Sequence, residues 1–300
     1  MTFSDLNAWR KAARDRVDAK LADLLSQQAK EQPPDVVGLI KAMSHSLLSG
    51  GKRLRPLLTL AAADSLGQKE ASVLPGALAI EMVHAYSLIH DDLPALDNDD
   101  FRRGLPTCHK AFGEATAILA GDALQSLAFE TLASLVTKPK FATRVGTAVY
   151  ILARAIGPLG MAGGQAEDLA FEKKTPTLEE SQAMERRKTG ELMAAALGVG
   201  AALAGADAKT LKIFREIGLL AGEAFQITDD LLNQIGDPRL LGKAIGTDAQ
   251  RGKITAPTLL GQEKAKAKAC DLLTKALKLA AAFSSPKLPF LLRSVVDRTN

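Results

Sequence analysis

The sequence predicts an all-α chain: one antiparallel helical bundle with a cavity between facing helices. Three observations carry that prediction. The composition is 47% hydrophobic but only 4% aromatic, with alanine and leucine dominant, which suits helices packed through small and aliphatic side chains. No segment alternates apolar and polar residues as a half-buried strand would. No repeat or linker divides the 300 residues, so a single domain, 1–300, is expected, long enough to bury a sizeable core.

The elements follow in order. Residues 4–30 read as an amphipathic helix with Leu6, Val17, Leu21, Leu24 and Leu25 on one side, ended by Pro33-Pro34. Asp35 is the expected cap of a second helix to about Leu48. Ser49-Gly50-Gly51 breaks the chain, and Lys52-Arg53-Leu54-Arg55-Pro56 opens a helix that Gly67 closes. Helix is expected over 74–92, then an acidic loop to His109. Helices fit 114–136, ended by Lys138-Pro139, and 141–156. Gly157-Pro158-Leu159-Gly160 is a turn, and a short helix starts at Met161. Thr177 and Glu180 form a capping box for a helix through Leu203. A second acidic helix covers 208–233, a glycine-rich loop 236–252, and helices at 256–282 and 287–296 finish the chain.

The net charge of +4 is modest and scattered. Nucleic-acid binding wants a dense basic face, and the one lysine-rich run, 264–268, alternates with alanine as a solvated helix face would. Cys108 and Cys270 make neither a metal pattern nor a disulfide framework, which suits a cytoplasmic protein. Met1-Thr2-Phe3-Ser4-Asp5 lacks the basic and apolar regions of a secretory signal. No charge-free apolar stretch of membrane-spanning length is present, so no membrane span is expected.

The chemistry concentrates after the apolar run 76–89. Asp91, Asp92, Asp97, Asp99 and Asp100 put five carboxylates in ten residues, followed by Arg102, Arg103 and Gly104. Acids at a helix C-terminus are disfavoured by the helix dipole, so a cation should compensate, and carboxylate oxygens suit Mg²⁺. In an unbroken helix Asp91 and Asp97 would lie roughly 240° apart. Pro94 should loosen the helix and let Asp97 turn back toward Asp91. Further on, Phe225-Gln226-Ile227-Thr228-Asp229-Asp230-Leu231-Leu232-Asn233 places Asp229 and Asn233 on one helix face. Two acidic helix ends suggest facing walls of one metal-filled cleft. A calcium loop starting at Asp97 fails, because Arg102 and Cys108 occupy the positions that need Gly and Glu. Gly51-Lys52-Arg53 is not a phosphate-binding P-loop, since Arg follows the Lys. A helix start bearing Lys52 and Arg55 is still a good anion site.

Asp-Asp-x-x-x-x-Asp with Arg-Arg-Gly, and a later Phe-Gln-x-x-Asp-Asp, resemble the short-chain trans-polyprenyl diphosphate synthases, above all the bacterial farnesyl diphosphate synthase group. The resemblance spans about 47–258 and implies an isoprenoid-synthase-type bundle, usually a homodimer. It implies that Asp91, Asp92 and Asp97 hold two Mg²⁺ on an allylic diphosphate and that Asp229 serves a third. By the same resemblance, Arg102 and Lys188 bind the allylic diphosphate, while Lys52, Arg55, His84 and Arg103 bind isopentenyl diphosphate. Thr189 and Gln226 face the developing carbocation, and Lys243 and Lys253 close on the diphosphate from the glycine-rich loop. Gln165, Asp168 and Asp122 match further family motifs. Tyr86, with Ser87 beside it, stands where an aromatic accompanies a farnesyl product; geranylgeranyl diphosphate is the alternative. One departure is Asn233, where the family usually has Asp.

The reaction implied is head-to-tail prenyl transfer. The allylic C–O bond ionises, the isopentenyl double bond attacks, and the departed diphosphate takes the proton. Three other classes are weaker. A class I terpene cyclase needs no second diphosphate site, a non-catalytic subunit would have lost first-motif acids, and a structural bundle has no reason to end two helices in acids.

Overall fold

A computed structural model describes residues 1–171, 174, 176–235 and 255–296, and helices dominate them. Helix α1 (Phe3–Gln28) starts at Thr2, whose hydroxyl and N–H exchange bonds with Asp5 in a capping box. It buries Leu6, Val17, Leu21 and Leu25. Helix α2 (Pro34–Leu47) has Pro33 at the cap and Pro34 at the first helical position, where a missing N–H costs nothing. Asp35 therefore lies in the first turn, favourable to the helix dipole, and is not the cap. Helix α3 spans Leu54–Asp64 and helix α4 Glu70–Asp91. The latter begins a turn earlier than expected and carries Pro75 inside. Its first residue explains this: Glu70 accepts from Trp9 Nε1 at 2.8 Å, Arg16 at 2.8 Å and Lys287 at 2.5 Å. Tertiary anchoring carries the helix back past Pro75.

A minimal hairpin, β1 (Phe101–Arg102) paired with β2 (Leu105–Pro106), interrupts the expected loop. Strands of two residues are too short to leave a periodicity in the sequence. Helices α5 (Cys108–Phe112), α6 (Glu114–Ala133), α7 (Ala142–Ile156) and α8 (Met161–Phe171) come next. The expected capping box of Thr177 and Glu180 starts α9 (Leu178–Glu185). A π-helical turn, Arg186–Gly190, joins it without a break to α10 (Glu191–Ala204). Helix α11 spans Ala208–Ile235. The single helix expected over 256–282 is two, α12 (Ala256–Leu260) and α13 (Gln262–Ala280), because Gly261 takes a φ of +81° that no α-helix contains. Helix α14 (Lys287–Val296) closes the described chain.

Helix α10 is the centre of the bundle. Every residue from Glu191 to Leu203 is buried, and the helix packs on α3, α4, α7 and α11. Helix α4 lies against α3 and α6, and α11 against α13. Two stretches, Glu70–Asp91 and Ala142–Phe171, are long and apolar enough to cross a membrane by length and composition alone. In the first, 72% of the apolar window is buried inside the protein, as a central core helix requires.

Candidate active site

The end of α4 is rebuilt by Pro94. The helix stops at Asp91, the Asp97 N–H donates to the Asp91 carbonyl at 2.8 Å, and the Asn98 N–H donates to the Leu93 carbonyl at 3.1 Å. The chain thus folds back as the spacing predicts. Arg103 and Gly104 then take φ of 54° and 78°, the two-residue turn that suits a hairpin's twist. That turn returns Arg102 onto Asp92, which its Nε and Nη2 grip at 2.5–2.8 Å. Burial raises the Asp91 carboxyl to about 6, with Lys188 and Arg102 opposing and Asp97 and Asp92 adding to the rise. Burial also raises Asp92, against the bond from Arg102. Negative charge is crowded here and only partly neutralised.

The basic wall rests on a residue that motif reading passes over. Arg53 is 3% exposed and holds a left-handed φ of 49° at the start of α3. It donates to Asp18 at 2.6 Å, to buried Glu81 at 2.6 Å and to the Leu47 carbonyl at 2.8 Å. It therefore ties α1, α2 and α4 to the start of α3. Glu81, a lone acid inside the apolar run of α4, is the available signal for it. Beyond this strut, Lys52 is exposed and Arg55 is half-buried. Arg55 Nη1 lies 3.5 Å from His84 Nε2, and its guanidinium lies 5.9 Å over the Phe225 ring of α11. Burial, and then the charges of Arg55, Arg103, Arg102 and Arg53, hold His84 well below the usual histidine range, so it is neutral. Arg103 donates to Ser49 Oγ and the Gly50 carbonyl. His84, Arg102, Arg103, Ser49 and Glu81 line one pocket. Among the described residues, three of the four non-glycine positions with left-handed backbone, Arg53, Asn98 and Arg103, lie in this region. Such conformations cost roughly 1–3 kcal/mol each and gather where function constrains the chain.

The π-helical turn connects the two acidic segments. Its ladder slips by one residue, so the Glu191 N–H donates to the carbonyl of Arg186, five residues back. Such slips recur at functional sites. Lys188, close enough to Asp91 to oppose its raised pKa, donates to Asp168 at 2.6 Å. Thr189 Oγ1 donates to Gln226 Oε1 at 3.2 Å, and Gln226 Nε2 donates to Asp230 at 2.9 Å. Gly164 allows the approach of α8: a Cβ there would fall 2.4 Å from the Lys188 nitrogen. Below the turn, burial and the charges of Asp230 and Glu223 push the Glu185 carboxyl to about 8.

The remaining predicted residues are less closely gathered. Asp229 and Asn233 are half-buried on α11. Tyr86 is buried, and burial with the nearby Asp91 charge pushes its hydroxyl to about 12, which puts the ring near Asp91. Ser87 Oγ donates to the His84 carbonyl at 2.9 Å. Gln165 is half-buried on α8. Asp122 is exposed on α6, beside His90. Lys243 and Lys253 lie outside the described residues. Among the described residues, no three His, Cys, Asp or Glu side chains converge as a ready metal cage.

The polyprenyl synthetase family matches residues 37–287. The farnesyl diphosphate synthase of Geobacillus stearothermophilus is 47% identical over 233 residues, 77% of each chain. That of Escherichia coli is 47% identical over 240 residues, 79% of this chain and 80% of its own. In structure, geranylgeranyl pyrophosphate synthetase from Pyrococcus horikoshii is similar with a TM-score of 0.85 at 31% identity, covering 98% of this chain and 99% of that one.

Proposed function

The chain belongs to the polyprenyl synthetase family, and on that premise we propose that it condenses isopentenyl diphosphate with dimethylallyl or geranyl diphosphate, head to tail, to give farnesyl diphosphate. The observation that carries this reading is the π-helical turn that reaches both acidic segments. Lys188 stands near Asp91, and Thr189 is bonded to Gln226.

Asp91, Asp92 and Asp97 on one side, and Asp229 on the other, would hold Mg²⁺, three ions per site. The donors fit: all are oxygens, and Asp91 is raised to about 6 where burial and its acidic neighbours leave it short of positive charge. Mg²⁺ keeps several waters and needs only one or two carboxylates beside substrate phosphates, so a ready cage is not required. When bound, the metal supplies neutralising charge on the leaving diphosphate.

The chain's own residues do the rest. Arg102 and Lys188 bind the allylic diphosphate and stabilise its growing charge. Lys52, Arg55 and Arg103 hold isopentenyl diphosphate, with neutral His84 adding an uncharged hydrogen-bonding group. The oxygens of Thr189 and Gln226 face the developing cation. Lys243 and Lys253 close over the diphosphate, and the apolar bundle keeps out water that would trap the cation. The proton leaves to the departed diphosphate. Tyr86 floors the tail pocket. The chain acts as one domain, and a reducing cytoplasm suits its two free cysteines. Exposed Ile118 and Leu119 on α6 support a homodimer.

The test is product analysis with geranyl diphosphate, isopentenyl diphosphate and Mg²⁺. Farnesyl diphosphate is the expected product. Geranylgeranyl diphosphate would move the reading to the second product class, to which the P. horikoshii relative's name points. A cyclised hydrocarbon made without isopentenyl diphosphate would overturn the reaction.

A further inference from the structure

We infer that His90 and Gly121 hold Tyr86 in place and so help set where elongation stops; this rests on the prenyl-transfer reading above. His90 comes one helical turn after Tyr86 on α4, so the two share a face. Their rings meet edge to face, with centroids 5.8 Å apart and planes at 70°. His90 is in turn keyed into α6. Its Nε2–H donates to the Ile118 carbonyl at 3.1 Å, and Asp122 Oδ1 lies 3.9 Å away.

Gly121 makes the seat. A Cβ at that position would fall 2.0 Å from His90 Nε2 and 2.5 and 2.7 Å from two ring carbons. Those are the three nearest atoms, so the space that glycine leaves is filled by this ring. The line from the α6 backbone through His90 to Tyr86 is continuous contact. An aromatic ring at the bottom of an apolar pocket stops a growing chain only if something stops the ring from swinging aside. Tyr86 is 8% exposed, and His90 is the aromatic neighbour that meets it among the described residues. His90 is thus a positioning residue for chain length, not a group that touches the reacting atoms.

The experiment compares wild type, His90→Ala, Gly121→Ala, the double variant and Tyr86→Ala. Each is given geranyl diphosphate, isopentenyl diphosphate and Mg²⁺, with chromatography of products and the rate of the first condensation. His90→Ala should raise the ratio of longer products to farnesyl diphosphate by about tenfold, the low end of what one methylene decides in an apolar pocket, with the first condensation little changed. Gly121→Ala should alter the product ratio in the wild-type background and add nothing once His90 is alanine, because the clash it creates is with that ring. If His90→Ala does not fold, His90→Gln carries the same expectation, since it removes the ring edge and keeps an N–H donor. An unchanged profile in the His90 variants, while Tyr86→Ala lengthens the product, overturns this inference and leaves the prenyl-transfer reading standing. An unchanged profile in Tyr86→Ala as well overturns the inference together with the Tyr86 floor. Absence of prenyl transfer in wild type overturns the reading beneath both.

Discussion

After Asp91, the last residue of α4, the carboxylates sit on backbone that has stopped being a helix, whereas on α11 they sit on backbone that still is one. The first arrangement uses Pro94, the return of Asp97 to the Asp91 carbonyl and a hairpin that carries Arg102 back to Asp92. Irregular backbone lets acids six residues apart serve one place. A regular helix cannot do that, since neighbours on it diverge by roughly 100°. Asp229 and Asp230 accordingly part company. Asp230 is buried and accepts from Gln226, which Thr189 also engages, while Asp229 is half-buried on the adjoining face. The two acidic motifs look alike in sequence, but the first is a cluster and the second pairs a half-buried Asp229 with an Asp230 tied down by an internal bond.

The sharpest way to break that contrast is to neutralise one acid from each. Asp91→Asn should lower kcat by about 10²–10³-fold, the scale of losing one preorganised electrostatic group. Asp230→Asn keeps an acceptor for Gln226 and should cost less than about tenfold. Equal losses in steady-state kinetics would show that the two acids do the same work.

Acidity offers a smaller handle. The folded Asp91 carboxyl, at about 6, lies above its ordinary value of 3.8, so between those values the folded chain binds more protons than the unfolded one. Its contribution to stability therefore falls as pH rises from about 4 to about 6 and stays lost above. Mg²⁺ opposes that loss by favouring the ionised form. Scanning calorimetry should show a larger Mg²⁺-induced rise in Tm at neutral pH than near pH 5, and Asp91→Asn should flatten the difference. A Tm rise independent of pH in wild type would remove Asp91 from the binding set.

The smallest effect concerns Asn233. Asn233→Asp should lower the Mg²⁺ concentration for half-maximal rate by about two- to fivefold, as one half-exposed charge allows. An unchanged or raised requirement would mean that the position does not bear on metal.

Much of this is legible in the sequence, and the omissions have physical causes. Pro94 announces the fold-back, and Thr177 with Glu180 announces the start of α9. Lys52 and Arg55 mark an anion site, yet nothing distinguishes Arg53 between them, because a basic residue among basic residues looks solvated. Its burial depends on Glu81, 28 positions away, and on Asp18 in another helix. The early start of α4 depends on what Glu70 meets from α1 and α14. The break at Gly261 and the turn Arg103-Gly104 depend on single φ angles. Each of these lies in tertiary contacts or local geometry that periodicity does not record.

The π-helical turn also limits how this enzyme can be rebuilt. Remove any one residue between Arg186 and Gly190 and the rod would heal into ordinary α-helix, with the parts on either side close to their present orientation, because the slipped ladder already absorbs the surplus residue. Side chains inside the turn, Lys188 and Thr189 among them, would then change direction, with no change in their chemistry. A scaffold that borrows this helix must import its surplus residue, and a library that varies length there samples the directions of the side chains in the turn.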